Sequence, residues 1–315
     1  MKTKVAYPSP SKIWFRIGLM PVAVLLVVLA TLAQPTNAQE PNLAGKSKAS
    51  PSNPSPLTST GELTPKKGNL ILDLGKGATM ELIYCPPGKF IMGTDLPSVP
   101  NPRDRSAHPA REVTLTQGFY LGKYEVTQAQ YQAVMRENPS FNIGENKPVD
   151  DITWHAAMDF CKKVSDLTGK KVRLPTEAEH VFAYRAGTET KYFWGTQLSE
   201  AEEYCCGTPQ GKFTHEVGLL KSNPWGFYDI CGNVGEWCSD WFHAGSYLDV
   251  GTVDPAGVTE AQATDHKKVL MGGSYEDDFG AFQYAWRTKI QANSKLMHRT
   301  GARVAITESP STPKN

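Results

Sequence analysis

Residues 223–241 read Asn-Pro-Trp-Gly-Phe-Tyr-Asp-Ile-Cys-Gly-Asn-Val-Gly-Glu-Trp-Cys-Ser-Asp-Trp, and this run limits the fold more than any other part of the chain. Aromatic rings are mixed with glycine, asparagine and carboxylates without a period. No 3.6-residue stripe separates apolar from polar positions, which argues against an amphipathic helix. Gly232-Asn233 interrupts any two-residue alternation, which argues against a clean strand. The run is expected to form a long, ordered, irregular loop. In such a loop tryptophans supply the packing, and oxygen groups bond the backbone or hold a hard cation.

Further short motifs follow one another along the chain. They are Gly88-Lys-Phe-Ile-Met-Gly93, Tyr124-Glu-Val-Thr-Gln128, Pro148-Val-Asp-Asp-Ile-Thr-Trp154 and Arg173-Leu-Pro-Thr-Glu-Ala-Glu179. Gly272-Gly-Ser-Tyr275, Ala285-Trp-Arg287 and Gly301-Ala-Arg303 complete the series. With the 223–241 run, and in this order, they resemble the formylglycine-generating enzymes and their relatives, the sulfatase-modifying-factor domains. The resemblance covers roughly residues 67–308. It implies an α+β, C-type-lectin-like fold with little regular secondary structure, short helices and short antiparallel strands. It also accounts for irregular stretches that are uncommon in compact domains.

The first 38 residues read as an export signal. Lys2, Lys4, Lys12 and Arg16 form a basic start, Ile17 to Ala33 is an apolar run, and Thr36-Asn37-Ala38 offers small residues for cleavage. The alternative is an uncleaved membrane anchor, since the run lies at the short end of a bilayer span of about 17–25 residues. Both readings place the rest of the chain outside the cytoplasm, in a periplasmic or extracellular setting. Residues 39–66 are rich in Pro, Ser, Asn, Lys and Thr and read as a flexible linker. Residues 309–315 read as a similar tail. The charge balance of 33 basic against 32 acidic residues leaves no basic excess for nucleic acid.

Three helices are expected. Thr127 and Gln130 form a capping-box pattern for a helix to about Arg136. Thr153 caps a helix that ends before Gly169, with Trp154, Ala157, Cys161 and Val164 on one face. Thr176 and Glu179 form a second capping box, for a helix ending near Gly187; both residues read as structural. Strands are expected near 81–84, 89–92, 111–116, 118–121, 269–271 and 303–306. Six cysteines in an exported chain imply at least one disulfide. Cys205 and Cys206 would bond each other, or one of them would reach Cys231 or Cys238. Cys161 reads as a small buried residue on its helix.

The resemblance also frames the chemistry. The family oxidase binds copper(I) through two cysteines shortly after Gly-Gly-Ser-Tyr, and soft thiolates suit that ion. Here Asp277 stands at the first position, Phe282 is near the second, and no cysteine follows Cys238. Copper and formylglycine generation are therefore not expected. The resemblance implies calcium at the side chains of Asp229 and Glu236 and the carbonyls of Gly232 and Val234, an oxygen set suited to a hard cation. The alternative is that these carboxylates bond protein groups without an ion. Gly235 replaces a family tryptophan, and His180 replaces another. His155 and His180 read as packing or surface residues.

Two functions remain open. One is a binding or accessory module in the cell envelope that recognises a peptide, a glycan or an envelope protein. The other is an enzyme of different, non-copper chemistry, as in a thiol-less relative linked to periplasmic siderophore maturation. Ser274, Asp277, Asp278 and Arg287 would then line its site. Asp277 and Asp278 read otherwise as turn-capping carboxylates, and Arg287 and Arg303 as guanidinium ties between backbone carbonyls.

Overall fold

The computed structural model describes residues 68–95, 107–208 and 212–307, except 244, 264 and 297. The expected export segment 1–38, linker 39–66 and tail 309–315 lie outside the described residues. The strands are β1 (Leu70–Asp73), β2 (Thr79–Cys85), β3 (Gly88–Met92), β4 (Arg111–Leu115), β5 (Phe119–Gly122), β6 (Val172–Arg173), β7 (Gly235–Trp241), β8 (Lys267–Met271), β9 (Thr288–Gln291), β10 (Thr300–Gly301) and β11 (Ala305–Thr307). The helices are α1 (Gln128–Met135), α2 (Trp154–Thr168), α3 (Glu177–Arg185) and α4 (Ser246–Asp249). No described helix is long and apolar enough to cross a membrane.

The three longer helices start where local chemistry says they should. Thr127 accepts from the Gln130 amide, and the Gln130 side chain returns to the Thr127 amide. Thr153 caps α2 through the Ala156 amide, and left-handed Gly169 ends it. Thr176 and Glu179 form the reciprocal box on α3. These contacts satisfy amide groups that a helix N-terminus leaves without partners.

One sheet has the order β1-β2-β5-β11-β6, with every pairing antiparallel. A second has the order β10-β7-β8-β9, with β10 parallel to β7 and the other pairs antiparallel. β3 and β4 form a separate hairpin. Two apolar cores lie among these layers. One gathers Phe90, Phe119, Phe182, Trp225 and Phe227 around α3. The other packs α1 and α2 against the sheets through Leu82, Tyr131, Phe160 and Trp237. Tyr131 and Phe160 stack there with ring centroids 5.5 Å apart.

The 223–241 run divides in two. Residues 223–234 form the irregular loop expected, with Gly226, Asp229, Gly232 and Asn233 in left-handed conformations. Glycine, aspartate and asparagine are the residues that tolerate this region best. Residues 235–241, however, are a strand and not a loop. β7 pairs on both sides, and its register shifts between Trp237 and Trp241. A strand covered on both faces loses its apolar–polar alternation, and a bulge breaks what period remains. That is why periodicity did not reveal it. The last expected strand begins two residues later than foreseen, because Arg303 precedes it as a buried cross-link.

Gly232 is required by its surroundings. Its φ is +79°, and an added Cβ would lie 2.2 Å from the Cys206 carbonyl oxygen. Gly232→Ala is expected to cost about 2–4 kcal/mol from strain and overlap. Gly251→Ala, where an added Cβ meets nothing within 4 Å, should stay within about 0.5 kcal/mol. Urea unfolding of both variants measures this; equal midpoints would contradict the placement of the loop against Cys206.

Candidate functional site

All nine residues of α3 are buried, including Glu177, Glu179, His180 and Arg185. Buried charges need partners, and each of these polar side chains has one. Glu179 takes a bidentate bond from Arg173, at 2.6 and 2.7 Å. Glu177 accepts from Tyr247 Oη at 2.6 Å and from Arg287 at 2.7 Å. His180 Nε2 lies 3.0 Å from Glu236 Oε2. Arg185 reaches the Thr188 carbonyl and lies 3.5 Å over the Tyr284 ring. The expectation that Thr176 and Glu179 are structural agrees with these contacts, and His155 is exposed on α2.

The calcium set falls in the same region. Glu236 is fully buried, and both of its oxygens accept from Arg303 Nε at 2.9 Å. Arg303 also donates to Glu236 Oε1 at 2.7 Å and to the carbonyls of Gly122, Tyr228 and Asp229. Burial alone would raise the Glu236 carboxyl, but Arg303 and His180 outweigh it and hold Glu236 below the usual range. Asp229 accepts from the Gly218 amide at 2.7 Å through Oδ2. Its Oδ1 has no hydrogen bond and lies 3.5 Å from His215 Nε2. Burial raises Asp229, and burial followed by Asp229 and Glu236 raises Glu125, which accepts from Asn233 and the Val234 amide. A guanidinium therefore occupies Glu236 where the resemblance implied an ion. The donor set does not fit calcium without displacing Arg303 from it.

The other candidate residues belong to separate networks. Asp277 Oδ2 accepts from both the amide and the hydroxyl of Ser274, at 2.8 and 2.7 Å. Asp278 accepts from Thr208 Oγ1 at 2.8 Å. Asp277 thus holds a local turn, and Asp278 ties its segment to Thr208, with which it also forms a parallel bridge. Phe282 is buried, its ring seated over Gly207 and Gly273, and its carbonyl accepts from Tyr184 Oη. Arg287 is paired with Glu177 instead of facing Ser274 and Asp277. Cys205 and Cys231 form the disulfide, one of the pairings the spacing left open, and Cys161 is buried on α2 as expected.

Two groups without a sequence signal complete the polar interior. Asp240 is buried on β7 and accepts from the Glu177 amide at 2.9 Å. Burial, followed by the facing Glu177 charge, pushes its carboxyl up to about 7. Lys268 sits between the rings of Trp154 and Trp241, 4.0 and 3.7 Å from their centroids, and burial lowers its amine to about 8. The space bordered by Glu177, Asp240, Tyr247, Arg111 and Arg287 is only ≈ 10 Å³, the room of about one water. These groups support the fold more than they outline a substrate pocket.

The α+β architecture is that of a formylglycine-generating-enzyme-like domain. Residues 73–308 match the sulfatase-modifying factor enzyme 1-like domain, and the chain belongs to that family. It is 27% identical over 263 residues to the mouse formylglycine-generating enzyme, covering 63% of this chain and 67% of that enzyme. It is 30% identical over 188 residues to a Paenibacillus barcinonensis protein described as chaperone protein LppX, covering 44% and 67%. The solved structure of Treponema denticola variable protein 1 superposes with a TM-score of 0.65 at 26% identity, covering 76% of this chain and 99% of that one. The chain thus spans about two thirds of the length of these two curated relatives.

Asp240 gives a signed pH dependence. Its folded value of about 7 stands above the ordinary 3.8, so folding holds the proton more tightly. The stability from this group is complete below about pH 4. It is lost as pH rises toward 7, at about 1.4 kcal/mol per pH unit. Asp240→Asn keeps an acceptor for the Glu177 amide and removes the titration. Between pH 4 and 8 the variant should lose less stability than the parent, by up to about 4 kcal/mol. Identical pH dependences of the unfolding free energy would show that folding leaves the Asp240 carboxyl at its ordinary value.

Proposed function

We propose that the chain is a binding or accessory module of its family and not a formylglycine-generating oxidase. The observation that carries this reading is the fate of the two thiol positions. Asp277 is bonded to Ser274, and Phe282 is buried beneath two glycines. Neither supplies a soft ligand, and hard carboxylates do not replace a thiolate pair for copper(I). The relative described as a chaperone supports a protein-assisting role within the family. The partner would be a peptide, a glycan or an envelope protein met outside the cytoplasm, where the basic-then-apolar N-terminal segment would direct the chain. The competing enzymatic reading has less support, because Arg287 serves Glu177, Asp277 holds a turn and Asp278 is bonded to Thr208. Incubation with copper(I), oxygen and a Cys-x-Pro-x-Arg peptide should leave the cysteine unmodified. An aldehyde product above the no-protein control, detected by mass spectrometry, would overturn the proposal.

The same reading extends to the expected calcium site. Arg303 holds the 228–236 loop in the ion's stead, through Glu236 and the carbonyls of Tyr228 and Asp229. Melting temperature should then change by less than about 1 °C between chelator and millimolar calcium. A bound ion at a hundredfold excess over its Kd would add about 2.7 kcal/mol. For a domain this size that is a shift of several degrees. Such a shift would restore Asp229, Gly232, Val234 and Glu236 as a ligand set.

A further inference from the structure

A cavity of ≈ 240 Å³ opens between the β4–β5 turn, the start of α3 and the 254–255 segment. That volume is enough for a lysine side chain or one sugar ring. Leu115, Phe119 and Pro255, all buried, form its apolar floor, and Thr176 and Thr307 border it with hydroxyls. No lysine, arginine or histidine lines it.

Two carboxylates border the cavity, and they differ. Glu179 is already neutralised, since Arg173 grips both of its oxygens. Asp254 pairs with no cation among the described residues. Its Oδ1 accepts from the Thr116 amide at 2.7 Å, and its Oδ2 accepts from the Thr116 hydroxyl at 2.5 Å. A carboxylate has about four acceptor sites, so a lone pair on each oxygen remains for a ligand. The segment that carries Asp254 is also held in place. The Thr114 amide donates to the Thr252 carbonyl, and the Asp254 amide donates to the Thr114 carbonyl, each at 2.8 Å. A carboxylate fixed before binding avoids an ordering cost on association.

We propose that this cavity binds a primary ammonium group carried on a short aliphatic or hydroxylated body. Asp254 receives the ammonium, and the body lies against Leu115, Phe119 and Pro255. An anion has no cation to meet here. A divalent metal would find only one uncommitted carboxylate, where calcium takes six to eight oxygens. The ammonium has two natural sources, a lysine side chain of a peptide and a free amino sugar. The cavity is distinct from the Ser274–Asp277 turn, so the inference does not rest on the binding-module reading.

Chemical-shift titration of the 15N-labelled full chain at pH 7 tests it, read at the amides of Gln117, Gly118 and Asp254. N-acetyl-lysine amide or glucosamine should give a saturable shift, while N-acetyl-norleucine amide and glucose, which lack the ammonium, should not. A response to the lysine compound alone assigns the site to peptides, and a response to glucosamine assigns it to amino sugars. Asp254 is exposed, so Asp254→Asn should weaken binding about two- to fivefold, the worth of a solvent-screened ion pair. Asparagine tolerates the left-handed φ of +45° at this position, and unchanged shifts elsewhere will report an intact fold. The proposal is overturned if norleucine amide binds as well as the lysine compound. It is equally overturned if Asp254→Asn leaves the affinity unchanged, or if neither amine gives a saturable shift.

Discussion

The ion pair between Arg303 and Glu236 holds the two main sheets together. Glu236 lies on β7 of the four-stranded sheet, and Arg303 leads into β11 of the five-stranded one. The guanidinium also reaches the carbonyl of Gly122, at the end of β5, and two carbonyls of the 228–229 loop. A planar group with several fixed donors can serve all of these acceptors at once, which an ammonium could not. Taking both charges out of water is costly, and the dense hydrogen bonding is what offsets that cost. Removing one partner would leave an uncompensated buried charge, a loss of about 3–5 kcal/mol.

The interior holds more buried carboxyls than the Arg303 guanidinium can pair. Glu125, Asp229 and Asp240 are all buried with raised carboxyls, each for want of solvent first and through neighbouring carboxylates in part. Helix α3 meets the same problem by giving Glu177, Glu179 and His180 each a specific partner outside the helix. The result is a domain with a polar frame inside its apolar cores. Groups that a surface-based reading would call reactive are here committed to one another.

That commitment bears on function. Asp277 caps a turn and Phe282 packs in the core, so the segment after Gly272-Gly273 serves as scaffold. The proposed binding chemistry lies elsewhere, at Asp254 on an open cavity. Recognition on this fold can thus move to a loop while the packed frame stays the same, in keeping with the usual division between scaffold and loops.

Local chemistry alone determined the helix starts, because Thr127, Thr153 and Thr176 each act on the amide three residues on. It also determined the irregular half of the 223–241 run, where left-handed positions fall on glycine, aspartate and asparagine. The lost thiols were equally plain, since composition after Cys238 is a fact of the chain itself. Strand β7 was not legible, because burial on both faces and a bulge erase the alternation that marks a strand. Nor was the role of Glu236, which a motif presents as an oxygen ligand and the fold gives to Arg303, 67 residues away in sequence. The choice of Cys231 as the partner of Cys205 and the cavity beside Asp254 were likewise decided by tertiary structure. A capping bond joins neighbours in sequence, whereas ion pairs, disulfides and cavities depend on which distant segments the packed chain brings together.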